Sequence, residues 1–124
     1  MRPTSRERLA WAAGFWAGEG CCWSGSSNSK GYRYRQRSIV GRISQVDKRP
    51  LVRFKRAVGL GSIRGPYRTS KGRPAYQWGV SGWPSIEKLF KLLGPWLDPV
   101  KREQFIAARK LYRSLASKEA RGLR

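Results

Sequence analysis

The chain has 124 residues, with 27 lysines and arginines against 7 aspartates and glutamates and a formal net charge of +20. So large an excess repels itself in a compact domain and is typical of proteins that bind a polyanion, above all nucleic acid. No apolar run approaches the ~18 residues of a membrane-spanning helix. The residues after Met1 do not resemble a secretory signal, which favours the cytoplasm or the interior of a DNA-containing organelle.

Histidine is absent from the sequence, and the two cysteines, Cys21 and Cys22, are adjacent. The absence of histidine excludes His-based general bases, His-metal nucleases and Ser-His hydrolases. Adjacent cysteines rarely bridge each other and two thiols do not complete a structural zinc site, so a reducing compartment is expected. Any catalysis therefore depends on carboxylates, lysine or arginine, together with a metal ion.

The first predicted helix runs from about Ser5 to Gly18. At its start, Thr4-Ser5-Arg6-Glu7 has the S/T-x-x-E form of a capping box, and the helix is predicted to end at a Gly-Glu-Gly sequence. Strand character follows over Gly20–Ser24 and again over Tyr32–Val46. A Ser/Gly-rich turn over Gly25–Gly31 separates the two and completes a first hairpin.

A short helix and a second hairpin are predicted next. Asp47 is expected to cap the helix, and Gly59-Leu60-Gly61 to end it. The second hairpin comprises Ser62–Arg68 and Pro74–Ser81, joined by a polar turn.

Two further helices complete the predicted domain. Pro84 opens the third, which Gly94-Pro95 stops, and Asp98-Pro99 starts the fourth. The order α-β-β-α-β-β-α-α predicts an α+β domain with a single antiparallel sheet and helices on one face. We expect one domain over residues 1–116 and a basic, disordered tail over residues 117–124.

Small residues form a stripe along the first helix. They have the spacing i, i+3, i+4, i+7, i+8, which places them on one face: Ala10, Ala13, Gly14, Ala17 and Gly18. Such a stripe allows a second helix to approach closely, and the natural partner is the same helix of a second copy across a two-fold axis. The alternative is an alanine-rich helix that packs on its own sheet.

Glu19 is the acid that local structure does not explain. It lies at a helix C-terminus, where a carboxylate is disfavoured. The other acids lie at helix starts, in early helical turns or in the tail: Glu7, Asp47, Asp98, Glu87, Glu103 and Glu119. If the small stripes of two copies pair, both Glu19 side chains meet at the dimer axis and form an oxygen-rich site suited to Mg²⁺. That arrangement suits phosphodiester hydrolysis, whereas the alternative is a solvated surface glutamate.

Residues 12–20, Ala-Ala-Gly-Phe-Trp-Ala-Gly-Glu-Gly, resemble the motif of the LAGLIDADG homing endonucleases. Later segments are similar to that family's strands and helices in the expected order: residues 43–48, 59–63, 76–81 and 97–104. The resemblance covers the chain from about Leu9 to Tyr112.

This resemblance implies an αββαββα fold whose saddle-shaped antiparallel sheet, with helices on one face, lies in the major groove of double-stranded DNA. The motif helices of two subunits would form the dimer interface. The motif acid, Glu19, would hold Mg²⁺ or another divalent cation such as Mn²⁺, together with the backbone carbonyl of Gly18. Gln45 matches a strand-end glutamine that orders water, Lys101 a basic residue near the scissile phosphate, and Arg49, more weakly, a second basic residue.

The activity implied is site-specific, metal-dependent cleavage across the minor groove that leaves short 3′ overhangs. One motif per chain implies a homodimer and a palindromic or pseudo-palindromic target. The sequence departs from the motif at Ala17, where aspartate is frequent, and at Ala12, where leucine opens the motif. Neither position is that of the metal-binding acid, so the departures do not exclude activity.

Polar residues that alternate with apolar ones on the predicted strands are expected to face the DNA, because Arg and Gln can bond guanine and adenine edges. The candidate base-reading residues are Arg42, Ser44, Arg64, Arg68 and Gln77. Three other arginines lie on the same strand face as Ile39: Arg33, Arg35 and Arg37. Because Ile39 is expected to face the core, these arginines can face the DNA only if a bulge intervenes or the hairpin tip projects. Turn residues are expected to contact phosphates: Lys30, Lys71 and Arg73. For each residue, a generic phosphate contact or a solvated charge is the alternative.

The leading hypothesis is a homing-type, site-specific endonuclease of double-stranded DNA. One alternative is a nucleic-acid-binding module on the same scaffold that does not cut DNA, either a maturase for intron RNA or a DNA-binding regulator. Another is a basic ribosome-associated protein, which accounts for the charge but for neither the small-residue stripe nor Glu19. The presence of Glu19 argues against a degenerate site.

Overall fold

The computed structural model of the chain describes residues 3–27 and 36–122. The elements are, in chain order, α1 (Ser5–Glu19), β1 (Gly20–Ser27), β2 (Gln36–Gln45), α2 (Lys48–Val58), β3 (Ser62–Arg68), β4 (Pro74–Ser81), α3 (Trp83–Leu93), a 3-10 turn (Gly94–Trp96) and α4 (Pro99–Gly122). This order confirms the predicted one. No helix within those ranges is long and apolar enough to cross a bilayer.

The four strands form one antiparallel sheet in the order β1-β2-β4-β3, so that β1 and β3 are the edge strands. The two faces differ because side chains alternate along each strand. In β2, Ile39 and Ile43 are buried in the core, whereas Arg42 and Ser44 are exposed. The helices pack on the Ile39 face, and we call the other face the open face. The predicted α+β class, with one antiparallel sheet and helices on one face, is confirmed.

Local sequence signals account for the ends of the first two helices. The Thr4 hydroxyl accepts a hydrogen bond from the N–H of Glu7 at 3.1 Å and donates one to the Glu7 carboxylate. At the start of α2, the Asp47 carboxylate accepts from the N–H of Arg49 at 2.9 Å. Gly59 ends α2 with a φ of 71°, a left-handed conformation that lets its N–H reach the carbonyl of Lys55.

Some predicted boundaries differ from the observed ones. β1 continues beyond Ser24 to Ser27, because it pairs with β2 over its whole length. The predicted start of the second strand, Tyr32, lies outside the described residues. α4 is helical to Gly122, past the predicted domain end at residue 116. The division into a domain and a basic tail over residues 117–124 stays a prediction.

Aromatic rings fill the space between the helices and the sheet. The indole of Trp16 is completely buried, with its centroid 5.3 Å from the Phe105 ring and 6.1 Å from the rings of Phe54 and Trp78. Phe54 and Trp78 are themselves 4.7 Å apart in an edge-to-face arrangement. This cluster joins α1, α2 and α4 to β4, so the orientation of α1, and of the residue at its end, depends on one packed core.

Candidate active site and nucleic-acid interface

Glu19 is the last residue of α1, and its side chain is exposed. Within the described ranges, its carboxylate makes no hydrogen bond or ion pair. Four of the other acids do have partners: Glu7, Asp47, Glu87 and Asp98. No group of three or more acidic or cysteine side chains capable of holding a metal ion occurs in the described part of the chain. One copy therefore brings a single free carboxylate, Glu19, to the end of α1.

The backbone beside Glu19 is confined by the core. Gly20 caps α1 and begins β1 in an extended conformation, and its N–H donates to the carbonyl of Trp16. A Cβ added to Gly20 would lie 2.3 Å from the Trp16 indole, closer than real atoms approach. Glycine at position 20 is therefore required by packing, and the abrupt turn from helix to strand holds Glu19 at the surface.

Lys101 and Gln104 of α4 contact the start of β1. The Lys101 ammonium donates to the carbonyl of Gly20 at 2.6 Å, and the Gln104 side-chain oxygen accepts from the N–H of Cys22 at 3.2 Å. The structure thus brings Lys101 to the residue that follows Glu19, while its role near a scissile phosphate stays a prediction. Gln104 was not singled out from the sequence, because its partner lies 82 positions earlier in the chain.

Gln45 lies at the same edge of the sheet. It is the last residue of β2 and is half-buried, on the strand phase of Ile43. Ile43 pairs with Gly20, so the ends of α1 and β2 are separated by two residues, or ~7 Å along the strand. The structure therefore places Glu19, Lys101 and Gln45 around one corner of the sheet.

Arg49 is not joined to that corner by any contact in the described part of the chain. Its guanidinium binds the Asp47 carboxylate through Nη2 at 2.6 Å and through Nε at 3.0 Å, and its side chain is 90% exposed. These hydrogen bonds lower the pKa of Asp47 to about 2. Arg49 also lines a groove with Arg8 and Trp11 in the N-terminal half of α1. A catalytic role for Arg49 stays a prediction, and its charge is already matched by Asp47.

The two cysteines point to opposite faces of β1. Cys21 is exposed on the open face and Cys22 is buried in the core. Burial, and to a smaller extent the neighbouring Cys21, raises the pKa of Cys22 to about 12. The Cys22 thiol therefore stays protonated at neutral pH and packs as a small apolar side chain.

The small-residue stripe of α1 is divided between the core and the surface. Ala13 is only 1% exposed and packs in this chain's own core, which corrects its place in the predicted interface. Gly14 and Gly18 are exposed, and a Cβ added to either would meet no atom within 4 Å. Ala10 and Ala17 are half-buried. We call Ala10, Gly14, Ala17 and Gly18 the small-residue face.

The open face of the sheet carries four of the predicted base-reading residues. Arg42 pairs with Gly79, Ser44 with Gln77, and Arg64 with Gln77 from the other side. Register therefore confirms that Arg42, Ser44, Arg64 and Gln77 share one face. Arg42, Arg64 and Gln77, together with Tyr67, border a shallow cavity of about 320 Å³ that is open to solvent.

Two predicted DNA-binding residues lie elsewhere. Arg37 continues the phase of Ile39 without a bulge and reaches α4, where its guanidinium lies 4.0 Å from the Tyr112 ring and donates to the Tyr112 carbonyl. A bulge after Arg64 changes the phase of β3, so Tyr67 lies on the open face and Arg68 on the opposite one. Arg37 thus packs against a helix, and Arg68, although exposed, does not share the face of Arg64.

The remaining predicted contacts are in turns or outside the described ranges. Lys71 and Arg73 are exposed in the turn between β3 and β4, where the N–H and hydroxyl of Thr69 both donate to the carbonyl of Arg73. Phosphate contacts by these two side chains stay a prediction. Three predicted DNA-binding residues lie outside the described part of the chain: Lys30, Arg33 and Arg35.

Trp23 is an exposed residue of the open face that sequence reasoning did not identify as functional. It lies on β1, and 41% of its surface is exposed. The signal was present in the sequence, because Trp23 alternates with Cys22, whose small apolar side chain suits the core.

No family model matches the chain, and neither does any curated protein. Among solved structures, the homing endonuclease I-CvuI in complex with the I-CreI target has a TM-score of 0.74 and 21% identity, over 93% of this chain and 71% of that one. The archaeal intron-encoded homing endonuclease I-Vdi141I, complexed with DNA, has a TM-score of 0.73 and 19% identity, over 92% and 72%. The LAGLIDADG homing endonuclease I-GzeII, in complex with its DNA target, has a TM-score of 0.65 and 24% identity, over 95% and 38%.

TM-scores of 0.65 to 0.74 over more than nine-tenths of this chain establish a common architecture. The sheet order, the helices on one face and the helix that ends in Gly18-Glu19-Gly20 all agree with it. The resemblance that the sequence indicated is therefore confirmed at the level of structure: the chain has the LAGLIDADG homing-endonuclease fold.

Proposed function

We propose that the protein is a site-specific endonuclease that cuts double-stranded DNA as a homodimer, at a palindromic or pseudo-palindromic site, with a divalent cation. The observation that carries the proposal is Glu19, a solvent-exposed carboxylate without a partner in the described ranges, next to the Lys101 ammonium. Glu19 caps neither end of α1, because Thr4 and Gly20 occupy the cap positions.

The open face supports binding of duplex DNA. Its row of Arg42, Ser44, Gln77 and Arg64 runs across three neighbouring strands and presents donors and acceptors of the kind that read base edges in the major groove. The net charge supplies the phosphate attraction that is independent of sequence. The proteins with which this chain shares its fold include several that were solved in complex with DNA.

The residues present fit a magnesium-type cation. Carboxylate and carbonyl oxygens are its preferred ligands, and the Glu19 carboxylate and the Gly18 carbonyl would supply them from each of two copies. When bound, such a cation lowers the pKa of a coordinated water and stabilises charge on the phosphate. Because one copy brings a single carboxylate to the end of α1 in the described ranges, a site of two carboxylates there requires two copies.

The chain's own groups would complete the chemistry. Lys101 holds an ammonium against the Gly20 carbonyl, where it can also bind a non-bridging oxygen of the scissile phosphate. Gln45, at the same corner, offers an amide that can both donate to and accept from a water and so orient it for attack. These roles of Lys101 and Gln45 need no histidine, which the sequence lacks.

The small-residue face supports the homodimer. Glycines at 14 and 18 leave the α1 backbone uncovered, so a second α1 can approach closely with little apolar surface. Since 95% of this chain matches only 38% of I-GzeII, that longer chain has room for a second such unit.

Replacing Gly14 by leucine should convert the dimer to a monomer and abolish cleavage, because the side chain would project into the helix contact. The change is harmless to the single copy, since a Cβ at this position meets nothing within 4 Å. Sizing chromatography with light scattering measures the result. Ala107→Leu, at an exposed position of α4, is the matched control and should stay dimeric. A dimer that persists in Gly14→Leu would place the two-fold axis elsewhere.

The direct test of function is cleavage of a supercoiled plasmid library that carries the DNA flanking the gene, with Mg²⁺, with Mn²⁺ and with EDTA. Discrete double-strand cuts at one sequence, lost in EDTA, are expected. Tight, salt-dependent binding without cleavage in either metal would overturn the nuclease assignment and favour a binding module on the same scaffold.

A further inference from the structure

Trp23 and Val40 form an apolar pair on the otherwise polar open face. They are directly opposite each other in the register of β1 and β2. Trp23 is 41% exposed and Val40 is half-buried, whereas the next residue along β2 on this face is Arg42 and the partner of Val40 on β4 is Ser81. A large indole left open to solvent on the edge strand of a polar surface is available to an apolar group of a ligand.

Arg42 is held beside this pair. Its guanidinium carbon lies 5.4 Å from the centroid of the Trp23 ring, within the range of a cation–π contact. Its partner across β4 is Gly79, and a Cβ there would stand 3.4 Å from Arg42 Cγ, so the missing side chain leaves room for the arginine stem. No acid in the described ranges pairs with Arg42. Its donors are thus oriented by Trp23 and form no hydrogen bond within those ranges.

The two side chains match the chemistry of two bases. In the major groove, thymine presents a C5-methyl group that is bound by apolar contact, and guanine presents two acceptors that an arginine fork binds. The register places Arg42 opposite Cys21 and therefore diagonal to Trp23, with its guanidinium carbon 5.4 Å from the ring centroid, a separation of one to two base-pair steps at a rise of ~3.4 Å. The pair can therefore contact neighbouring bases at the same time.

We propose that Trp23 and Arg42 determine part of the target sequence: Trp23 binds the methyl group of a thymine, and Arg42 binds the edge of an adjacent guanine. The proposal rests on the proposed function, because it assumes that the open face meets the major groove. Trp23 lies three residues beyond Gly20 on β1, or ~10 Å, which places the thymine about three base pairs from the phosphate nearest Glu19.

The first experiment selects bound duplexes from a randomised library with the wild-type protein and then replaces each thymine of the selected site by uracil, which removes only the methyl group. We expect one symmetry-related pair of positions, next to a guanine, where uracil weakens binding about four-fold per half-site. In Trp23→Ala, replacing the same thymine by uracil should leave the binding affinity unchanged, whereas any loss of affinity on uracil replacement at other positions should persist.

The matched control is Trp96→Ala. Trp96 is 40% exposed and has Arg6 5.7 Å from its ring, so it is a similar tryptophan–arginine pair, but it lies in the 3-10 turn, away from the sheet. Trp96→Ala should retain the uracil penalty. Arg42→Lys keeps the charge but not the fork, and should reduce the preference for the adjacent guanine about ten-fold.

A second measurement needs no variant. A 5-iodouracil in place of the selected thymine should cross-link on irradiation to the peptide that contains Trp23. Cross-linking to another peptide, or a uracil penalty that survives in Trp23→Ala, would show that Trp23 only stabilises the sheet and would overturn the proposal. If the wild type cuts a site whose thymines all tolerate uracil, this inference fails alone; if it binds no duplex, the proposed function fails with it.

Discussion

Replacing Glu19 by glutamine should reduce cleavage about a thousand-fold or more and leave DNA binding intact or slightly tighter. The change keeps the shape of the side chain and removes one oxygen ligand and its charge, which a divalent cation needs and a duplex does not. Since the carboxylate has no partner in the described ranges, no hydrogen bond within the fold is lost. Single-turnover cleavage and a mobility-shift titration at the same salt concentration measure the two effects.

Glu103→Gln is the control for this experiment, because Glu103 is also an exposed glutamate and lies on α4, the helix that carries Lys101. It should cut at the wild-type rate. If both variants lose the same activity, the effect is one of net charge. If Glu19→Gln fails to dimerise or melts early, Glu19 is structural and the assignment of the site is wrong.

Replacing Trp16 by alanine should lower the free energy of unfolding by about 3–5 kcal/mol. The indole is fully buried against Phe54, Trp78 and Phe105, and removing it leaves a cavity that three rings already packed together cannot close. Its N–H has no acceptor within the described residues, so ring packing, not a hydrogen bond, carries the stabilisation. The corresponding drop in Tm is on the order of 10–20 °C, measured by calorimetry.

Trp96→Ala provides the comparison for stability. It exchanges the same residue type at a position where 40% of the tryptophan side chain is already exposed. The free energy of unfolding should therefore fall by only about 1 kcal/mol. If the two variants lost equal stability, Trp16 would not lie at the centre of the core. Cleavage by Trp16→Ala at a temperature where it stays folded should also fall, because Trp16 sets the direction in which α1 delivers Glu19.

Most of the fold could be predicted from local patterns. The bounds of β3 and β4 were predicted without error, as were the cap at Asp47 and the helix end at Gly59. These features depend on the backbone of a few consecutive residues, which caps, turns and alternation determine directly. The isolation of Glu19 also follows from local reasoning, because a carboxylate at a helix C-terminus has no local stabilisation.

Side-chain direction was harder to predict wherever strand phase or helix face depends on distant contacts. Arg37 and Arg68 were expected beside Arg42 and Arg64, but one packs on α4 and the other follows a bulge. On α1, Ala13 was expected on the face that meets a second copy, yet it is buried in this chain's own core. The periodicity of the sequence shows that a helix has an apolar side. It does not show which of two overlapping apolar sides packs against the core.

The sequence by itself determined the order of the elements, the large excess of positive charge and the one acid with no local role, because these depend on composition and on neighbours along the chain. Only the tertiary structure decided that Lys101, 81 positions from Gly20, meets the end of α1. It likewise decided that Ala13 is core while Gly14 is surface, and that Trp23 orients Arg42 on the open face. Such contacts arise when α4 and the sheet close around one aromatic core, a long-range event that local patterns do not encode.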